Sequence, residues 1–188
     1  KYQANLAKRR LFKLLQWDRF VTNQFHKLYY GDPAWQNTTW FGVTTLKCPL
    51  DLWIYQELIY RLKPEVIVEC GTSHGGSARY LASLFDLIGH GEIITVDIEP
   101  KPNRPVHPRI HYVNGSSTAP EIVAQVKAKI NGRKNVMVVL DSDHSRDHVF
   151  GEMQAYYDLV PVGGYLIVED TNINGHPVYR SFGPGPME

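Results

Sequence analysis

The residues with the most chemistry to offer stand in short acidic clusters, each at the end of an apolar run. They are Glu69-Cys70-Gly71, Asp97, Asp141-Ser142-Asp143-His144 and Glu169-Asp170. Three carboxylates brought together, Asp141, Glu169 and Asp170, would repel one another unless a cation sat among them. Oxygen-only donors with open positions suit Mg²⁺, or else Mn²⁺ or Ca²⁺, better than zinc. His144, three residues after Asp141, is then placed as a general base near such a cation. Asp97 is suited to accept the two hydroxyls of a ribose. The stretch Glu69-Cys70-Gly71-Thr72-Ser73-His74-Gly75-Gly76-Ser77 lets backbone approach a ligand closely and leads into a helix whose free N–H groups are donors. Ser73 stands where a dinucleotide fingerprint needs its second glycine, which argues against a pyrophosphate on this turn. A carboxylate before the first glycine suits the cationic end of a ligand instead. His144 and His148 share i, i+4 spacing, but no further His or Cys stands close enough in sequence to complete a zinc set.

The elements that must position these residues follow from the apolar pattern. Short continuous runs at Val66–Cys70, Ile93–Asp97, Ile110–Asn114, Val136–Asp141 and Tyr165–Asp170 alternate with helical segments near Gly76–Ile88, Pro120–Ile130 and Arg146–Leu159. Runs that do not alternate with polar residues predict strands covered on both faces, as in a parallel sheet. Strand–helix alternation at this spacing predicts a doubly wound α/β domain, with ligands at the carboxyl ends of its strands. Thr118 and Glu121 form a capping-box signature for one helix start. Leu50–Leu62 reads as a helix stopped by Pro64. Residues 3–30 carry apolar positions at helical spacing, and a turn-rich aromatic connector with Trp35 and Trp40 follows. The division expected is an N-terminal helical extension and connector over 1–49 and a cofactor-binding α/β domain over 50–188.

Composition sets the limits. The chain has 188 residues, 43% of them hydrophobic and 21% charged, with 20 Lys and Arg against 19 Asp and Glu. That is a globular composition with no general attraction for nucleic acid or an anionic membrane. Apolar runs such as Val136–Leu140 fall far short of the ~20 residues of a membrane helix. Cys48 and Cys70 are too few for a disulfide framework, so a cytoplasmic protein with reduced thiols is expected.

Several motifs together resemble the cephalosporin hydroxylase / rhamnosyl O-methyltransferase family. They are Glu69–Ser77, Val96-Asp97-Ile98, Leu140–His144 and Val168-Glu169-Asp170-Thr171, with Leu46–Trp53 upstream and Asn174–Pro177 and Gly183–Pro186 downstream. The resemblance covers roughly residues 40–188. It implies a Rossmann-like class I methyltransferase fold, with S-adenosylmethionine and a divalent cation as cofactors. It also implies a small-molecule hydroxyl acceptor: a sugar, a lipid-linked sugar or an antibiotic-type natural product. Under it Glu69 and Gly71 line the methionine end of the cofactor and Asp97 holds the ribose. Thr72, Ser73, Gly75, Ser77, Ser116 and Asp141 complete the cofactor contacts. Asp141, Glu169 and Asp170 ligate the metal, and His144 takes the place of the basic lysine of catechol-type relatives. Such folds finish with a further strand pair, before which this chain stops; with Lys1 in place of Met at its start and a Gly/Pro-rich stretch, Ser181–Glu188, at its end, a chain trimmed at both ends is expected. The N-terminal helix and Trp35, Trp40 and Trp53 would form a lid or a contact between copies in a homo-oligomer. Rival readings are a cofactor- and metal-binding subunit of a two-component tailoring system and an NAD-dependent oxidoreductase.

Overall fold

The computed structural model describes residues 16–188. The chain runs α1 (Trp17–Gly31), β1 (Thr39–Trp40), β2 (Val43–Thr44), α2 (Pro49–Leu62), β3 (Val66–Cys70), α3 (Gly76–Ile88), β4 (Glu92–Asp97), β5 (Ile110–Asn114), α4 (Pro120–Ile130), β6 (Val136–Leu140), α5 (Arg146–Tyr156) and β7 (Leu166–Val168). Among the described residues, β3 to β7 form one parallel sheet in the order β5-β4-β3-β6-β7, and β1 and β2 form a separate small hairpin. This is the doubly wound arrangement expected from the alternation of runs and helices.

Every residue of β3 and of β6 is buried, because helices cover both faces of these central strands. Alternation along β3 divides its side chains. Val66, Val68 and Cys70 pack with Val126 and Ile130 of α4 and with Val149 and Tyr156 of α5. Ile67 packs on the other face with Tyr55 and Ile59 of α2 and with Leu81 and Phe85 of α3. Glu69 is therefore driven into an apolar interior, where it is fully buried.

The register aligns the strand ends. Cys70 pairs with Val96 on one side and Leu140 on the other, Leu140 pairs with Val168, and Asp97 with Asn114. All five strands thus end along one edge of the sheet. The connection reverses direction about β3, which opens a crevice between the ends of β3 and β6.

Two expectations change in detail, and a third lies partly outside the described residues. The capping box does not form: Pro120 occupies the first helical position and Ala119 the cap, so Thr118 lies outside the helix and its hydroxyl pairs with Ser116 Oγ at 3.1 Å. The last strand is shorter than Tyr165–Asp170, since Asp170 turns out of extended backbone with φ 52°. Of the N-terminal helical stretch, residues 1–15 lie outside the described residues. Within α1 no residue is buried, and Phe20, Val21 and Leu28 are exposed.

Candidate functional site

Two cavities meet at the crevice, and Gly71, Ser73, Asp141 and Ser142 border both. The smaller, about 450 Å³, lies over the ends of β4 and β5 and is lined by Asp97, Ile98, Ser116, Ser117 and His148 among others. The larger, about 620 Å³, extends the other way to Lys47, His144 and Asp170, with aromatic walls from Tyr29, Tyr30, Trp35, Tyr179 and Phe182.

The wall between them requires glycine. A Cβ on Gly71 would lie 2.0 Å from the Asp141 carbonyl oxygen, and its φ of +99° is one that side chains avoid. Gly76, at the start of α3, is held as closely against the connector, where a Cβ would lie 2.1 Å from Thr44 O. The turn between them delivers its backbone to the crevice, and Ser73 sits in the left-handed region at φ 47°.

Around the smaller cavity, Asp97 Oδ2 accepts the Ser73 N–H at 2.6 Å and faces Arg104 at 3.3 Å, while Oδ1 accepts the Glu99 N–H at 2.9 Å. Arg104 also donates to Ser73 O at 2.9 Å and so ties the glycine turn to the end of β4. Ser116 borders this cavity. Glu69 accepts from Thr95 Oγ1 at 2.6 Å through Oε2, whereas buried Oε1 carries no hydrogen bond. Burial raises its pKa. Thr72 Oγ1 pairs with Thr95 Oγ1 at 2.7 Å, which connects the turn to the same buried network. Gly75 caps α3, and Ser77 in its first turn lines the larger cavity.

On the larger cavity, one donor atom each from Asp141, His144 and Asp170 lie within 4.8 Å of one another, a grouping that could hold a metal ion. His144 Nε2 is 3.1 Å from Asp170 Oδ2. Glu169 faces elsewhere: its Oε1 accepts from the Tyr55 hydroxyl and lies 2.9 Å from Lys47 Nζ. The same ammonium is 2.7 Å from Asp141 Oδ2. The neighbouring strands β6 and β7 thus bring Asp141 and Asp170 together, but the expected third ligand, Glu169, is not in that group. Lys47 and Tyr55 then draw Glu169 aside, and His144 completes the tighter group.

The electrostatics follow from burial. Burial alone would lower the Lys47 pKa, but Asp141 and Glu169 hold it well above the usual lysine range. Burial would likewise raise Glu169, and Lys47 and the Tyr55 hydroxyl hold it below its ordinary value. Asp141 is pushed up to about 8 by burial and by the charges of Glu169 and Asp170, against the pull of Lys47. One ammonium shared by two carboxylates cannot satisfy both. Asp143 takes no part in this group: its carboxylate accepts the Ser145 N–H at 2.8 Å, which lowers its pKa.

Sequence reading missed Lys47, Tyr55, Arg104 and Glu152. Lys47 lies in the connector and Tyr55 on α2, 94 and 86 positions before Asp141, so no spacing rule links them. The only signal was that Lys47 falls within the Leu46–Trp53 stretch. His148 is separated from His144, pointing to Ser117 and Glu152 at the other cavity.

Comparison with known proteins covers the stretch of chain that holds these residues. The family profile "Rhamnosyl O-methyltransferase/CmcI" matches residues 32–188. A rhamnosyl O-methyltransferase of Mycobacterium tuberculosis (strain ATCC 25618 / H37Rv) is 42% identical over 175 residues, which cover 89% of this chain and 71% of that protein. Among solved structures, CmcI with Mg and S-adenosylmethionine aligns with a TM-score of 0.58 at 22% identity, covering 72% of this chain and 58% of that one. MycE methyltransferase from the mycinamycin biosynthetic pathway, in complex with Mg and S-adenosylhomocysteine, aligns with a TM-score of 0.55 at 23% identity. The match covers 72% of this chain and about a third (34%) of MycE. At these identities the two structures show the fold.

Proposed function

The chain belongs to the rhamnosyl O-methyltransferase/CmcI family, and from that premise we propose that it transfers a methyl group from S-adenosylmethionine to a hydroxyl of a sugar, lipid-linked sugar or antibiotic-type natural product. The observation that carries this reading is the pair of cavities meeting at Gly71, Ser73, Asp141 and Ser142. One offers Asp97 to a ribose. The other offers His144 and Asp170 beside aromatic walls that suit a sugar ring.

The residues fit both groups. Glu69 leaves one buried oxygen without a hydrogen bond, a match for positive charge at the amino-acid end of the cofactor. The close approach of Gly71 to Asp141 gives that end a backbone cradle free of side chains. Asp141 and Asp170, with Glu169 next to them, are the residues that would hold a divalent cation. A bound cation supplies Lewis-acid polarisation of the acceptor hydroxyl, lowering its pKa.

This chain's residues do the rest. Asp97 orients the ribose, and Arg104 keeps Asp97 and Ser73 in register. His144 donates its Nε2–H to Asp170 Oδ2 at 3.1 Å and takes the acceptor's proton on Nδ1, and the same carboxylate stabilises the imidazolium that results. Lys47 keeps Asp141 and Glu169 side by side in spite of their repulsion. The aromatic walls exclude water and hold the acceptor in line with the cofactor, where positioning supplies much of the rate.

Calorimetric titration with S-adenosylmethionine and with NAD⁺, each with and without Mg²⁺, tests the cofactor assignment. Micromolar S-adenosylmethionine binding, lost in Asp97→Ala, is the expected result. Clean NAD⁺ binding without S-adenosylmethionine binding would overturn it.

A further inference from the structure

Behind the smaller cavity lies a carboxylate that the reaction outlined above does not use. Glu152, on α5, is fully buried. Its Oε1 accepts from Ser142 Oγ at 2.6 Å and from Ser117 Oγ, and lies 3.4 Å from His148 Nε2. Ser117, Ser142 and His148 all line the cavity that Asp97 borders. A buried carboxylate is expensive to keep in an apolar interior, and three polar partners at one oxygen are more than α5 needs in order to pack.

The direction of each proton follows from chemistry. A carboxylate has none to give, so both hydroxyls donate to Glu152. Ser117 Oγ, its proton spent, accepts from His148 Nε2 at 3.2 Å, which fixes the proton of that imidazole on Nε2. What remains for the cavity is lone pairs on Ser117 and Ser142. A wall of acceptors welcomes an N–H donor and repels a carbonyl oxygen.

We propose that Glu152 is a positioning residue that makes this wall acceptor-only, so that the cavity selects a 6-aminopurine nucleoside and rejects its 6-oxo counterpart. The inference rests on the cofactor reading above and deepens it by assigning the base specificity. Glu152 touches no ligand itself. It acts by holding two hydroxyls in one orientation.

The test is a titration of the wild type, Glu152→Leu and Ser142→Ala with S-adenosylhomocysteine and with S-inosylhomocysteine, its 6-oxo analogue. The wild type should prefer the adenosyl compound by roughly tenfold or more, the equivalent of one mispaired buried hydrogen bond. Glu152→Leu removes the acceptor that both hydroxyls share, so each is free to turn its proton toward the cavity, and the preference should fall to within about threefold. A merely structural role would weaken both compounds equally and leave the ratio unchanged. Ser142→Ala removes one oriented acceptor from outside the core, should lower the same ratio, and carries the test if Glu152→Leu does not fold. A wild type that binds both compounds equally, or a full preference kept by the folded variants, overturns the role of Glu152 alone. A wild type that binds neither compound overturns the cofactor reading, and this inference with it.

Discussion

The two cavities that share Gly71, Ser73, Asp141 and Ser142 are built by different means. The smaller is made almost wholly from strand ends and the turns that follow them: 71–73, 96–101, 115–117 and 141–143, with only His148 from a helix. Its shape depends on backbone, on glycines that allow close approach and on a sheet register that sets every strand end at one level. The larger gathers side chains from α1, from the connector before α2 and from the segment after β7, with strand ends supplying only its floor. Its charge balance depends on Lys47, which reaches two carboxylates far along the chain. A backbone-built site tolerates the loss of a side chain better than one held by a buried ion pair, so the two halves should answer mutation differently.

The sharpest separation should come from Asp170→Asn. Asparagine accepts the left-handed backbone at this position as readily as aspartate, so the fold should stand. The partner of His144 is lost, and methyl transfer should fall by about 10²–10⁴-fold. S-adenosylhomocysteine affinity, measured by calorimetry, should move by less than about threefold. An equal loss of both would break the distinction between the cavities.

Lys47→Met should come next, and it should act on stability. It leaves Asp141 and Glu169 buried without a counter-charge, a change that costs about 3–5 kcal/mol, readable from urea denaturation. Adding Glu169→Gln should recover part of that loss, since one charge fewer is then uncompensated. Tyr55→Phe removes only the hydroxyl bonded to Glu169 and should cost about 1–2 kcal/mol by the same measurement.

The smallest effect expected lies away from both cavities. Asp86 accepts from Arg109 Nε at 2.7 Å and lies 3.0 Å from His107, and these contacts hold its pKa below the ordinary value of 3.8. A carboxyl with a lowered folded-state pKa adds stability above its unfolded pKa and loses it as pH falls through the folded value. The pair is half exposed and well screened. Thermal melts of Asp86→Asn should therefore fall slightly below wild type at pH 6 and converge on it below about pH 3.

How much of this was legible depended on distance along the chain. β3, β5, α3 and α4 begin and end where the apolar runs and the Gly and Pro residues placed them, because continuous burial and helix punctuation are local signals. The acidic ends of β3, β4, β6 and β7 were legible for the same reason. The cap of α4 was misread because two local signals competed, and Pro120, with its fixed φ, outweighed the Thr118–Glu121 pair.

The sequence by itself determined a parallel sheet, the edge at which its acidic residues gather and the need for glycine where β3 turns into α3. Each follows from period and residue type within a few positions. Only the tertiary structure decided that Lys47 and Tyr55 take Glu169, leaving His144 to join Asp141 and Asp170. It likewise decided that Glu152 gathers Ser117, Ser142 and His148 beneath the neighbouring cavity. These partners lie on different elements, and their meeting is set by how helices seat on the sheet. A buried charge then takes whichever counter-charge that packing brings within reach, and no pattern along the chain records the choice.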